Sequence, residues 1–298
     1  MDIKILAQKF YDYSSYMRGY AKPTIRRYRQ VINFYCNHAN ITEIEQVSPD
    51  NARELFFYGR TERQWSPNTF ICFHKSLGVF FRWCIQEKYM QPPNPMEDIE
   101  IPKLEKRLPS KLTKKDAMKL LEVVYNYPYK YKFLRYRNHA IFATFIFSGI
   151  RKKELLNLKY GDVDLENLSL FINQGKGSKD RVVPISYKLA ESLKRYLEER
   201  QRLHKTCPEF FASLNKNMGF RDIGIRRLVE IIRKASGISF TIHKLRHTFA
   251  TLMLEGGCDI FSLSKMMGHS DIKTTTIYLS ASAEHLRAQM IKHPLNNF

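Results

Sequence analysis

The chain has 298 residues, 44% hydrophobic and 26% charged, with Lys+Arg 49 against Asp+Glu 29 and a formal net charge of +20. That length suits two domains, each able to bury a core, and the balance excludes a disordered chain, while the positive excess points to a polyanion such as double-stranded DNA or, more plainly, to a generally basic surface. Five scattered cysteines without CxxC or Cys/His spacing argue against a zinc site or a disulfide framework, and the longest apolar run, Ala140 to Phe147, is too short to span a bilayer. The opening MDIKILAQKF has no leader-like apolar core, so a cytoplasmic protein with no membrane role, no metal and no cofactor is expected.

Residues 1–90 read as a helical bundle. Apolar residues recur at helical spacing in Ile5, Phe10 and Tyr13, then in Ile25, Tyr28, Ile32 and Tyr35. Ser48-Pro49-Asp50 and Ser66-Pro67-Asn68 are helix starts: serine caps, and proline takes the first helical position, where its missing N–H costs nothing. The expected helices are 3–17, 23–38, 49–61 and 67–88.

Residues 91–112 form a linker, because five prolines (Pro92, Pro93, Pro95, Pro102, Pro109) forbid a continuous helix. It is basic, through Lys103, Lys106, Arg107 and Lys111. It reads either as a solvated spacer or as a strap along a DNA backbone. The charge supports a division here. Of the 49 basic and 29 acidic residues, the first hundred positions hold 13 and 11, leaving 36 and 18 for the rest.

The second domain, 113–298 with a tail at 280–298, opens with the capping pattern Thr113-Lys114-Lys115-Asp116 and a helix to about Val124. A helix from about Tyr136 to Phe147 stops at Ser148-Gly149, and another begins near Arg151. Leu168 to Gln174 and Arg181 to Ile185 look like short strands around a Gly175-Lys176-Gly177 turn. Helices follow near 187–202, 222–235, 243–255, 259–267 and 271–279. The fold class is therefore mainly α with a small β-sheet, in two domains.

Several residues have chemistry worth weighing. Arg246 follows His243 by three, so both share a helix face and could address one phosphate, although His-x-x-Arg also fits an ordinary exposed face. Arg151 sits at the end of the most apolar helix, where it either aims at the same phosphate or merely caps a neighbour. Glu154, one turn on, either orients Arg151 or makes an ordinary intrahelical pair. Lys176 lies between two glycines and reads as a mobile general acid or a solvated turn lysine; the Walker spacing is missing. His269 follows Gly268, and Tyr278 lies nine residues later among 17 tyrosines.

The segments Ser148-Gly149-Ile150-Arg151-Lys152-Lys153-Glu154-Leu155, His243-Lys244-Leu245-Arg246-His247-Thr248, Met267-Gly268-His269-Ser270 and Thr275-Thr276-Ile277-Tyr278 resemble the boxes of the tyrosine recombinase (phage integrase) family, in the family's order. The resemblance implies an N-terminal helical core-binding domain and a C-terminal catalytic domain. It implies Tyr278 as nucleophile forming a 3′-phosphotyrosine bond, Arg151 and Arg246 holding the scissile phosphate, and Lys176 protonating the leaving oxygen. It further implies His243 as base and His269 as a phosphate hydrogen-bonder, with Glu154 and His247 supporting.

The tail, with Leu286, Met290 and Ile291 at helical spacing, resembles the Xer-type segment that docks on a neighbouring subunit of a tetramer holding two DNA sites. A partner recombinase or activator fits the same picture. A clamp of two domains around duplex DNA follows, with base readout from helices 67–88 and 222–235, the latter through Arg226 and Arg227. Two other readings remain open. A type IB topoisomerase would relax DNA as a monomer, and a decayed recombinase would only bind it.

Overall fold

The computed structural model describes residues 1–104, 110–173, 180–269 and 271–278. Lys106, Arg107, Lys176, Ser270 and the 280–298 tail lie outside the described residues. The chain divides into two compact units, Met1–Lys106 and Arg107–Phe298.

The first unit is helical: α1 (Ile3–Asp12), α2 (Lys22–His38), α3 (Pro49–Thr61) and α4 (Pro67–Gln86). Both serine–proline starts form as the sequence predicts. Ser48 Oγ accepts the amide of Asn51, and Ser66 Oγ accepts that of Thr69. The helix expected over 3–17 changes pitch instead, since Tyr13–Met17 is a π-helical turn. The core is aromatic: Phe10 meets Tyr28, Phe80 and Trp83 with ring centroids 5.2–5.6 Å apart. Residues just after α4 are part of this unit rather than a loose spacer. Met96 and Ile99 are buried in its core, and Asn94 Nδ2 donates to the Gly78 carbonyl.

The second unit holds α5 (Lys114–Asn126), α6 (Lys132–Ser148), α7 (Lys152–Asn157), β1 (Val163–Asp164), β2 (Ser169–Ile172), β3 (Arg181–Pro184), α8 (Tyr187–Arg202), α9 (Asp222–Ser236), α10 (Ile242–Glu255), α11 (Ile260–Met267) and α12 (Lys273–Thr276). The three strands are antiparallel in the order β1-β2-β3, with Leu170 opposite both Val163 and Val183. The two-residue β1 has no separate signal in the sequence. Helix α6 is the central post, with most of its residues from Arg137 to Ser148 buried, and it packs on α5, α8 and α10. It begins four residues before the expected start because Lys132 to Arg135 continue it without a side-chain cap. Leu112 anchors the unit's start: it is buried, and its amide donates to Thr248 Oγ1 on α10. Among the described residues no helix is long and apolar enough to cross a membrane.

Candidate active site

Two glycines end two helices and bring their carbonyls to one place. Gly149 closes α6 in the left-handed conformation (φ +61°), and Gly268 closes α11 in the same way (φ +64°). A β-carbon on Gly149 would lie 2.2 Å from the Phe249 ring, and one on Gly268 would lie 2.8 Å from the Arg181 guanidinium. Glycine is therefore needed at both places for backbone shape and for space. The Gly149 carbonyl accepts from Arg246 Nη1 at 2.6 Å, and the Gly268 carbonyl accepts from Arg151 Nη2 at 2.8 Å.

Arg151 is the extended residue that precedes α7, and Glu154 reaches back to it twice. Glu154 Oε2 accepts the Arg151 amide at 2.7 Å, and Oε1 accepts Nη1 at 2.8 Å. Arg181, the first residue of β3, forks the same carboxylate at 3.0 and 2.8 Å and donates Nε to the Met266 carbonyl. Burial alone would raise the Glu154 carboxyl, but hydrogen bonds and charge from Arg181 and Arg151 overcome this and hold it at about 2. Arg246, on α10, is 6% exposed. It also donates Nη2 to the Met267 carbonyl at 2.7 Å. Its acidity rises to a pKa of about 10, first through burial and then through repulsion from Arg151.

His269 Nε2 lies 3.1 Å from Arg246 Nη2, and its Nδ1 lies 2.7 Å from Thr275 Oγ1. A guanidinium only donates, so Nε2 accepts and the ring proton resides on Nδ1. Burial, then Arg246, Arg151 and Arg181, push its pKa down to about 4, so it is neutral at pH 7. Arg151 and Arg181 thus share one carboxylate, while Arg246 is bonded to two backbone carbonyls and His269. The cluster has an excess of positive charge at the mouth of α10, suited to a bound anion.

Tyr278 follows α12. It is 2% exposed, packed in a cluster with Phe249, Leu254, Leu263 and Met267. Its hydroxyl lies 2.8 Å from His247 Nδ1. Burial raises the phenol's pKa, and Arg246 partly opposes this. His243 is exposed on the first turn of α10, three residues before Arg246 and four before His247.

The structure therefore gathers Arg151, Arg246, His269 and Tyr278 in one place, with His243 on the adjoining turn. Lys176 lies outside the described residues. Sequence reasoning missed Arg181 and Thr275, and it left His247 without a partner. The i+3 spacing of Glu154 from Arg151 was the available signal for the capping carboxylate. Nothing local marks Arg181, because its partner lies 27 residues away.

The expected DNA-contacting residues are distributed differently. Lys103 is exposed, whereas Lys111 is ion-paired with Glu255. Arg226 and Arg227 are exposed on α9, and Arg226 is held by Asp222 at 2.7 Å. Helix α4 buries Phe70, Leu77, Phe80, Phe81, Trp83 and Cys84, which leaves Lys75 and Arg82 among its exposed basic positions.

Comparison with known proteins fixes the class. The sequence model of the phage integrase family matches residues 110–285, and the model of the phage integrase N-terminal SAM-like domain matches residues 6–91. The chain belongs to the phage integrase family. It is 33% identical over 292 residues to the tyrosine recombinase XerA of Thermococcus onnurineus, covering 93% of this chain and 92% of that one. Against the tyrosine recombinase XerC of Thermodesulfovibrio yellowstonii the identity is 33% over 297 residues, covering 96% and 95%. Within the family it is thus a Xer-like tyrosine recombinase. Its fold is similar to that of the XerH site-specific recombinase bound to palindromic difH substrate (TM-score 0.74, 22% identity, 90% and 79% coverage). It is likewise similar to a lambda integrase tetramer bound to a Holliday junction (TM-score 0.74, 19% identity, 93% and 77% coverage).

Proposed function

We propose that this chain is a site-specific recombinase that cuts and rejoins duplex DNA through a 3′-phosphotyrosine intermediate, with Tyr278 as nucleophile. Arg151 and Arg246 hold the scissile phosphate, His269 adds a hydrogen bond to it, His243 is the base that the family resemblance implies, and Lys176 protonates the leaving 5′-oxygen. The observation that carries this reading is the shared carboxylate. Among the described residues, three buried or half-buried guanidinium groups gather around one carboxylate, Glu154, which pairs with Arg151 and Arg181 and leaves Arg246 on backbone carbonyls, beside a buried phenol. A phosphodiester supplies the missing negative charge, and arginine forks match its oxygens. The protein–DNA ester conserves the energy of the broken bond, so rejoining needs no ATP.

The recombinase relatives favour this activity over DNA relaxation or mere binding. The DNA-bound and tetrameric structures of similar fold support a homotetramer on two DNA sites. Exchange of the 280–298 tail between subunits, the basic 91–112 strap and an accessory recombinase or activator belong to the same proposal. The test uses a duplex selected by binding from a random pool and nicked beside its cut point. A covalent adduct that maps to Tyr278, and recombination between two copies of the site, are expected. Tight binding with no adduct would leave only a DNA-binding protein.

A further inference from the structure

We infer that His247 is the proton acceptor for Tyr278, holding the phenol in the DNA-free state and taking its proton when the oxygen attacks phosphorus. This rests on the reading of Tyr278 as nucleophile. His247 and His243 are one turn apart on α10, with Arg246 between them in sequence. Only the deeper one is placed on the hydroxyl: His247 Nδ1 is 2.8 Å from Tyr278 Oη, with ring centroids 5.5 Å apart. The phenol is 2% exposed, so water does not serve it as a ready base. A general base must lie within hydrogen-bond reach of the proton it removes, and His247 already does.

The environment also says when the proton moves. Burial, then His243 and Arg246, lower the basicity of His247, while burial raises the pKa of Tyr278. The proton therefore belongs to the phenol, Nδ1 accepts it, and the nucleophile is held inert. The charged and titratable groups around the pair are His243 and Arg246 on α10, and His269 before α12, which is neutral at pH 7. Beyond them stand Arg151 and Arg181, paired with Glu154. A phosphodiester seated on Arg246 carries one negative charge and offsets the opposition of that arginine to an imidazolium. The substrate thereby raises the basicity of the group that activates its own attacker.

The step balances. The Oη–P bond forms as the P–O5′ bond breaks, the phenol proton passes to His247 Nδ1, and the departing 5′-oxygen takes a proton from the general acid. In rejoining, the 5′-hydroxyl attacks and gives its proton back to the general acid, the Oη–P bond breaks, and His247 returns its proton to Oη. A hydrogen bond that merely satisfied a buried phenol would give the same distance, so the test must separate holding from proton transfer.

Full-length protein is given duplexes selected by binding from a random pool, with oxygen or sulfur at the bridging 5′ position of the mapped cut. Sulfur leaves without an acid, so adduct formation then reports the nucleophile alone. His247→Asn keeps an acceptor near the Nδ1 position but takes no proton. It is expected to slow the adduct by about 10²-fold or more with either leaving atom. It should also abolish the acidic limb of the pH–rate profile, leaving a rate that climbs toward the phenol's own range.

A wild-type rate and profile in His247→Asn would overturn the inference. So would loss of that limb in His243→Ala but not in His247→Asn. Adduct formation by Tyr278→Phe would instead refute the nucleophile reading itself, and no adduct from wild-type protein on bound DNA would refute both. Should His247→Asn fold poorly, the wild-type protein decides: the pKa read from a ¹⁵N titration of the His247 imidazole on bound DNA is expected to coincide with the acidic limb of the pH–rate profile, and a limb displaced from it overturns the assignment.

Discussion

Glu154 is the residue against which the site's positive charge is balanced, and its substitution separates structure from chemistry. Glu154→Gln keeps the shape but removes the charge that both Arg151 and Arg181 face. Removing one partner of a buried pair costs about 3–5 kcal/mol. The pH dependence has a definite sign. The folded-state pKa, about 2, lies below the ordinary 4.5. The charge therefore contributes stability above about pH 4.5 that is lost as pH falls toward 2, roughly 2–3 kcal/mol after partial screening. Urea unfolding of wild type and Glu154→Gln should differ most at neutral pH and converge below pH 4.5; a gap independent of pH would contradict this. At Arg246 the fork itself matters, because it spans the Gly149 and Met267 carbonyls together. Arg246→Lys cannot make that span, so covalent adduct formation should fall about 10³-fold while the fold persists.

The helix ends of α6 and α11 turn these side-chain arguments into a framework. Each ends in a left-handed glycine whose carbonyl anchors one of the two arginines proposed to hold the phosphate. Gly268→Ala forces a residue with a β-carbon to φ +64° and drives it into Arg181. Left-handed backbone costs about 1–2 kcal/mol outside glycine, and displacing Arg181 loosens Glu154 and Arg151 in turn. Thermal unfolding should register a modest loss and adduct formation a larger one; equal and small effects would show that the glycine is only a helix stop.

Much of this framework was legible in the sequence. The Ser–Pro starts of α3 and α4 declare themselves locally, and so does Gly149 after an apolar helix. The rest depends on distance along the chain. Arg181 meets Glu154 across 27 residues, and Tyr278 meets His247 across 31. No periodicity encodes such pairs. Helix α6 is apolar all round only in its second half, and the polar residues Lys132, Arg135, Arg137, Asn138 and His139 at its start hide where it begins, while the π-helical turn after α1 arises where helical spacing alone predicts simple continuation.

At the scale of the molecule, the charge asymmetry assigns most of the phosphate attraction to one part of the chain. Residues 1–100 hold 13 basic and 11 acidic side chains, against 36 and 18 in the remainder. Binding to any duplex should therefore weaken steeply with salt, through counterion release. Two neighbouring arginines on α9 then make a sharper prediction. Arg226 is fixed by Asp222 in an i,i+4 pair, which suits it to a base edge where direction matters. Arg227 is exposed, and among the described residues it is in no ion pair, which suits it to a phosphate, where only charge matters. Arg226→Ala should loosen base preference, read as a reduced affinity ratio between selected and scrambled duplexes, with little change in the salt slope. Arg227→Ala should weaken both duplexes alike and reduce that slope by about 1. If both substitutions lowered the slope equally and left the affinity ratio intact, α9 would be a phosphate-tracking helix, and sequence readout would belong to another element.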